Sequence, residues 1–451
     1  MILSEVKYSQ VMEKLRFDAE FYKPEYLKVE ELVKKSTNIK TLGELVTSII
    51  NGVDIREFVP EGIPYLRVGD MKELFIDVNN ASRIRNNSII SKGIILKEGD
   101  LLFSRKGTVG ITCVVTPDLT GSIISTELIR VRLKEVNSYY TAVFFNSEYG
   151  RKQLLRISSG AVNPVITREL FKSVFVPIPP LSFQQKIESY IKESYEKRKL
   201  ADEKYKQAQD LLNKILEIEK FALKEEKVFE SKFDEIEQTL RFDADYYLPK
   251  FTDAIKILKQ SKFELKKLKE LCKEAIRKVN PIKQPNKKFT YVEIGDIDIS
   301  TGEIKTKEIL GYQAPPNARR LFKKGDLVIS MVRPTRGAIT IIPEELDNSL
   351  GSTAFYILEI PSPFREFLFL YLRSDIGLNL LGRSVVGAMY PTLKKEHIEE
   401  IIISIIPEQN QKQISDLVKQ SFSLRKESKE FLGKAKREIE EFIEKGYQCS
   451  N

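Results

Sequence analysis

The sequence predicts an α+β protein written twice. A mixed α/β block is followed by a long helix, then comes a second block and a second long helix, with the apolar stripes of the two helices set to bury each other. Three observations carry this. The phrase LRFDAEFYKP (Leu15–Pro24) returns as LRFDADYYLP (Leu240–Pro249). Further echoes follow it in near-constant register. The stretch from Ser182 to about Lys227 contains neither Pro nor Gly and repeats apolar residues in steps of three and four.

The register of the echoes makes the repeat the whole chain rather than a recurring cap. TLGEL at Thr41 pairs with KLKEL at Lys267, YLRVGDM at Tyr65 with YVEIGDI at Tyr291, and EGDLLFS at Glu98 with KGDLVIS at Lys324, all at an offset of 226. GAVNPVI at Gly160 pairs with GAMYPTL at Gly387, and PLSFQQKI at Pro180 with PEQNQKQI at Pro407, at 227. Two copies of one unit follow. The boundaries expected are a helical segment at 1–37, a first α/β block at 38–180, a long helix and linker at 181–261, a second block at 262–407 and a second long helix at 408–451.

Each element has a local cause. Runs such as DLLFS, GITCVV and LIRVRL carry β-branched residues between Gly, Pro and Asn and are expected to be strands. SYYTAVFFNSEYGRKQLLRI and PFREFLFLYLRSDIGLNLL are each expected as a helical stretch, and prolines at VPIPPL and SIIPEQ open the long helices. In the first long helix Ile187, Ile191, Ser194, Ala201, Tyr205, Ala208, Leu212 and Ile215 form a seam, interrupted by Arg198. In the second, from about Gln409 to Lys445, the stripe is Ile414, Leu417, Leu424, Phe431, Ala435 and Phe442. Each stripe is expected to bury the other, and a forty-residue helix is a rod of roughly 60 Å. In the duplicated phrase, Phe17, Phe21 and Tyr22 are expected to pack where the chain leaves a helical region, with Asp18 hydrogen-bonded locally.

Composition narrows the class. The chain has 451 residues and a net charge of +9. Residues 38–180 carry 18 Lys and Arg against 14 Asp and Glu, and residues 262–407 carry 23 against 18, so the excess lies in the two α/β blocks and the remainder is balanced. A polyanionic partner is the reading this favours over scattered surface charge. No apolar run is long enough to span a membrane, and the opening MILSEVKYSQVMEKLRF lacks the order of a signal peptide. Cys113, Cys272 and Cys449 are scattered, with no CxxC spacing, which suits a reducing cytoplasm.

Catalytic motifs are missing. The one histidine, His397, lies in KKEHIEEI and is expected on the surface. RKGTVG (Arg105–Gly110) is not a phosphate loop, and no GxGxxG follows a strand. NPVI (Asn163–Ile166) lacks the second proline and aromatic of a methyltransferase loop. Pro117–Leu119 with Glu127 lacks the lysine of a nuclease pattern. No catalytic residue, metal ligand or cofactor-binding residue is therefore expected.

The set RFDAEFY/RFDADYY, EGDLLFS/KGDLVIS, GAVNP/GAMYP and IPPLSFQQKI/IPEQNQKQI resembles the specificity subunits of Type I restriction-modification systems over nearly the whole chain. The resemblance implies that each α/β block is a target-recognition domain reading one half of a split double-stranded DNA sequence. It implies that the two long helices pair as an antiparallel coiled coil, set the spacing and dock methyltransferase subunits, two in number, with restriction subunits possible. The subunit itself has no catalysis. S-adenosylmethionine and ATP belong to the partners. Half-sites read from one face lie ~34 Å apart, a separation that a two-helix spacer can hold.

Basic residues in Gly- or Pro-containing loops are the candidates for DNA contact, because they reach phosphates and base edges without a core role. In copy one these are Arg67, Arg105, Lys106, Thr108 and Asn163. In copy two they are Arg319, Arg320, Arg333, Thr335, Arg336 and Tyr390. SRKGTVG and SMVRPTRG follow the same strand and both end in Gly. Arginine can bond guanine bidentately, Asn163 can do so with adenine, and Tyr390 can stack or fill the groove. Against each stands the commoner fate of a surface arginine, solvation or a salt bridge. The rival functions are a coiled-coil scaffold whose α/β blocks bind protein, and a solitary methyltransferase with an unfamiliar site.

Overall fold

The computed structural model describes residues 5–36, 38–78, 81–86, 94–160, 164–218, 228–239, 241–385, 387 and 391–445. It divides into two units, one formed by Met1–Lys199 with Leu424–Asn451, the other by Leu200–Ser423.

In the first unit, α1 (Tyr8–Lys14) and α2 (Pro24–Lys34) precede the sheets. β1 (Ile39–Thr41) leads to β2 (Val46–Asn51), β3 (Ile63–Leu66), β4 (Ser82–Ile84), β5 (Leu101–Ser104), β6 (Thr112–Val114), β7 (Ile123–Ile124) and β8 (Leu128–Leu133). Then come α3 (Ser138–Asn146), α4 (Glu148–Ile157), β9 (Phe175–Pro177) and the long α5 (Leu181–Leu216). An antiparallel sheet runs in the order β2–β8–β5–β6, and a second in the order β4–β3–β7 with β3 and β7 parallel. β1 pairs with β9.

The second unit repeats the plan. After α6 (Phe233–Thr239) and α7 (Pro249–Gln260) come β10 (Glu264–Lys267), β11 (Lys288–Val292), β12 (Lys307–Leu310), β13 (Ala318–Leu321), β14 (Leu327–Ser330), β15 (Ile339–Ile341), β16 (Leu350–Ser352) and β17 (Phe355–Leu358). α8 (Phe364–Arg373), α9 (Asp375–Arg383), β18 (Ile402–Ile405) and the long α10 (Glu408–Lys445) complete it. The sheets run β15–β14–β17 and β12–β11–β16–β13, the latter with β11 and β16 parallel, and β10 pairs with β18.

The EGD and KGD turns launch the central strands β5 and β14. Gly99 and Gly325 take positive φ (81° and 83°), a backbone state open to glycine without cost. The next residue, Asp100 or Asp326, folds its carboxylate back onto the turn. Asp100 accepts from the Lys97 amide at 2.9 Å and Asp326 from the Lys323 amide at 2.7 Å. Both aspartates are 2% exposed and face arginine. Asp100 accepts from Arg132 at 2.5 and 3.1 Å and lies 3.8 Å from Arg130, while Asp326 is held by Arg277. Burial, with Arg132 alongside, pushes the Arg130 guanidinium below the usual arginine range.

Each predicted helical stretch after the strands is two helices. Ser147 and Ser374 break them and cap the second helix, accepting from the amides of Gly150 and Gly377. A Cβ on either glycine would lie 2.1 Å from the carbonyl oxygen of Phe144 or Tyr371, so the tight turn needs glycine there. The long helices pair antiparallel. In the first unit Lys186 meets Glu438 at 2.7 Å, Ser194 meets Ser428 at 2.8 Å and Lys197 meets Glu427 at 2.8 Å. In the second, the Ser421 hydroxyl donates to the Ala201 carbonyl at 2.8 Å.

Three expectations need correction. In α5 the seam is buried as predicted except at Ile215, where Leu216 takes the inward place. In α10 only Ile414 and Ala435 of the predicted stripe are fully buried. Leu417, Leu424, Phe431 and Phe442 flank a line made of Val418, Ser421, Arg425, Ser428, Ile439 and Ile443. At two places the line carries serine, because a small hydroxyl there bonds the facing helix: Ser421 the Ala201 carbonyl and Ser428 the Ser194 hydroxyl. Lastly, Phe21 and Tyr22 are buried as expected and Asp18 is hydrogen-bonded by Arg16, but Phe17 is 75% exposed.

Replacing Asp100 by Ala leaves the buried Arg130 without its carboxylate and opens the turn. A loss of about 3 kcal/mol or more in urea unfolding is expected, and a loss within ~0.5 kcal/mol would remove the turn from its structural role.

Candidate nucleic-acid interface

The loop that follows each central strand is fixed at its base. The Ser104 hydroxyl accepts from the Ile111 amide at 2.8 Å and the Gly110 amide donates to the Ser104 carbonyl at 2.9 Å. Ser330 closes the base of the second loop through its amide, which donates to the Ala338 carbonyl at 3.0 Å, while its hydroxyl bonds Val332 just inside the loop. Gly110 and Gly337 close the loops at positive φ, 88° and 75°.

A second loop is zipped onto each of these. In the first unit Lys106 bridges Val165, Ser159 bridges Val165, and the Ile166 amide donates to the Arg105 carbonyl at 3.1 Å. In the second, Val332 bridges Thr392, the Arg333 amide donates to Pro391 at 2.7 Å, and the Leu393 amide donates to Met331 at 2.8 Å. Residues 164–166 and 391–393, which are equivalent in the two copies, thus lie beside the RKGTVG and MVRPTRG loops. A third segment joins them, since the amides of Arg105 and Met331 donate to the carbonyls of Glu127 and Ala354.

The individual candidates fall into several environments. Lys106 and Thr108 are exposed on the first loop, and Thr335 and Arg336 on its counterpart. Arg333 is half-buried and holds φ 49°, ψ 53° immediately before Pro334. A left-handed conformation in a non-glycine residue costs ~1–3 kcal/mol and is retained where the surroundings dictate it. Arg67 is exposed at the end of β3, bonded to the Ser82 hydroxyl at 2.9 Å with its guanidinium over the Phe58 ring. The next residue along, Val68, meets the Glu127 carboxylate through its amide (3.5 Å), which ties this corner to the Arg105 loop. Arg319 bonds the Ala318 carbonyl, and Arg320 is held by the 5%-exposed Glu274 at 2.7 Å. Asn163 and Tyr390 lie outside the described residues.

Two partners escaped the sequence reading. With its amide oxygen turned to the cations, Asn51 accepts from Arg105 (2.9 Å) and Arg168 (3.3 Å). The two guanidinium groups therefore share a neutral amide. In the second unit the residue equivalent to Arg168 is Lys395. It shares with Arg320 the Glu274 carboxylate, at 3.2 and 2.7 Å. Two cations surround a neutral amide in one unit and a carboxylate in the other. Only Arg168 carried a signal in sequence, as a basic residue at the end of the GAVNPVITR segment.

His397, expected on the surface, is half-buried on the short helix Lys395–Glu399, where burial lowers its pKa. Among the described residues no group of three or more His, Cys, Asp or Glu is placed to hold a metal ion. Nor is any helix among them long and apolar enough to cross a membrane.

Comparisons with known proteins bear on the two blocks together. The family model of the Type I restriction modification DNA specificity domain matches twice, over residues 35–209 and 260–432. The specificity subunit of the Type I restriction enzyme HindI from Haemophilus influenzae is 28% identical over 133 residues, 27% of this chain, and the match spans only 28% of that protein's length. Among solved structures, the S subunit of a Type I restriction-modification system from M. genitalium aligns over 92% of this chain and 96% of that one, at 15% identity and a TM-score of 0.44. The HsdS subunit from Thermoanaerobacter tengcongensis aligns over 91% and 97%, at 15% identity and a TM-score of 0.30. With two matches that together cover more than half of its length, the chain belongs to the Type I restriction modification DNA specificity domain family.

Proposed function

We propose that this protein is the non-catalytic DNA-specificity subunit of a Type I restriction-modification complex. Its blocks at 38–180 and 262–407 are the two target-recognition domains, each reading one half of a split duplex target. The helical segments at 181–261 and 408–451 space the readers and dock methyltransferase subunits, two per chain, with restriction subunits joining where the system has them. Methyl transfer with S-adenosylmethionine and ATP-driven cleavage reside in those partners, and the assembly works in the cytoplasm.

The observation that carries this reading is the paired loop. In both units one backbone frame brings the same two segments together, and in both the side chains on that frame differ. A common frame with exchanged tips suits two readers of different half-sites. The net charge of +9, concentrated in the two blocks, suits a duplex partner. Arg67, Arg105, Lys106, Thr108 and Asn163 contact one half-site, and Arg319, Arg333, Thr335, Arg336 and Tyr390 the other. Arg320, committed to Glu274, acts from behind by placing β13.

Three outcomes are expected. Methylation mapping of cells carrying the methyltransferase subunit, with and without this chain, yields a split adenine-methylated motif only when the chain is present. Its absence, together with no DNA binding by the purified complex, would refute the reading. Changing Arg333 and Arg336 together to Ala weakens binding about tenfold or more through one half-site, as ~1–3 kcal/mol per lost bidentate contact implies. Equal loss at both halves would count against two separate readers. Changing Lys106 to Ala lowers the salt dependence of binding by about one counterion if Lys106 meets a phosphate. An unchanged slope in a titration from low to moderate salt would place Lys106 off the backbone.

A further inference from the structure

The duplicated phrase contains a feature that DNA reading leaves unused. In the first unit Arg16 grips Asp18 through two hydrogen bonds, 2.6 and 2.8 Å, and the Tyr22 hydroxyl donates to the Arg16 carbonyl at 3.0 Å. In the second, Arg241 grips Asp243 at 2.6 and 2.7 Å, and Tyr247 donates to the Arg241 carbonyl at 2.8 Å. Between the arms of each clamp stands a phenylalanine with its ring in solvent. Phe17 is 75% exposed and Phe242 is 84% exposed.

A second aromatic accompanies each. Tyr8 opens α1 and Phe233 opens α6, both helices of seven residues, and these side chains are 75% and 68% exposed. Tyr8 stands nine residues before Phe17, and Phe233 stands nine before Phe242. The same pair is therefore displayed twice. Leaving a large aromatic in water forgoes ~1.5–3 kcal/mol of burial, and exposed aromatics are enriched where proteins dock.

The repetition says what kind of partner fits. The reading loops differ between units, as ligands that differ would require. The clamp is the same in both units and its aromatics differ only by the hydroxyl of Tyr8 against Phe233, so one kind of ligand suits both places. Each clamp neutralises its own charge, which leaves an apolar anchor with no ionic demand on the partner. Duplex DNA, a polyanion, gains little from such a surface.

We propose that the Tyr8–Phe17 and Phe233–Phe242 pairs are two equivalent anchors. Each inserts into an apolar pocket on one copy of the same protein, the methyltransferase subunit. The inference rests on the proposed function and extends its docking surface, one anchor lying in the segment 181–261 and the other in the N-terminal segment 1–37.

The test uses the full chain with its cognate methyltransferase subunit, with complex mass read by sedimentation or native mass spectrometry. Wild-type chain is expected to take up two copies. Phe17→Ala with Tyr8→Ala takes up one, and so does Phe242→Ala with Phe233→Ala. The fourfold variant takes up none at concentrations that saturate wild type, since each lost anchor weakens binding about thirtyfold or more. Unfolding midpoints should match wild type, because the replaced rings are exposed. Two copies retained by all variants at unchanged affinity would overturn the inference while leaving the DNA-reading role intact. Wild-type chain that takes up no methyltransferase subunit would overturn both. A chain that dimerises alone, and becomes monomeric in the variants, would assign the aromatics to self-association and overturn the inference.

Discussion

A buried carboxylate at the mouth of the central strand fixes what comes after it. Asp100 and Asp326 each bind an amide of their own turn and an arginine from a neighbouring segment, Arg132 in β8 and Arg277 near the start of the second block. An unpaired charge so deep would be very costly, so turn, strand and arginine must form together. The strand that leaves this turn ends four residues later at Ser104 or Ser330. From there the candidate reading loop departs, its base fixed by the serine. The position of that loop is therefore set from the buried end of the strand rather than by the loop itself. Loops on such a base can change their tips without disturbing the fold.

The contrast between the units follows from this. Where the first unit places Arg105 and Arg168 around the Asn51 amide, the second places Arg320 and Lys395 around the Glu274 carboxylate. The neutral amide offsets neither positive charge, while the single carboxylate offsets one of the two. In the second unit the loop after the central strand carries Arg333 and Arg336, where the first carries Lys106 and Thr108. Two readers built on one frame differ in where they carry charge as well as in which side chains they present.

Much of this was legible in the sequence, because the copies comment on each other. The constant offset revealed the duplication, and the β-branched runs and proline-led helices followed from local chemistry. The pairing of the RKGTVG loop with Val165 and Ile166 was not legible, since nothing in either phrase says that they touch. Arg320 illustrates a second limit. Its neighbours in sequence mark it as a loop cation, and only the arrival of Glu274 from 46 residues away turns it inward. The seam of α10 illustrates a third. Ser421 and Ser428 lie on the buried line and Phe431 beside it, because at close approach the fit of small side chains outweighs hydrophobicity. Phe17 misled for the opposite reason, as an aromatic in a motif whose neighbours are buried.

The division of the chain has a consequence for its birth. The first unit takes in Leu424–Asn451 along with Met1–Lys199, whereas the second is the continuous stretch Leu200–Ser423. On the ribosome, the second unit can close while the first still waits for its last helix, and Ile187 and Ile191 stay uncovered until α10 emerges. Loop closure over such a distance is slow compared with local folding. The order of synthesis therefore runs against the order of completion: the half begun first is finished last. Its apolar stripe needs shelter in the interval, and a nascent chain of this design is a natural client for chaperones.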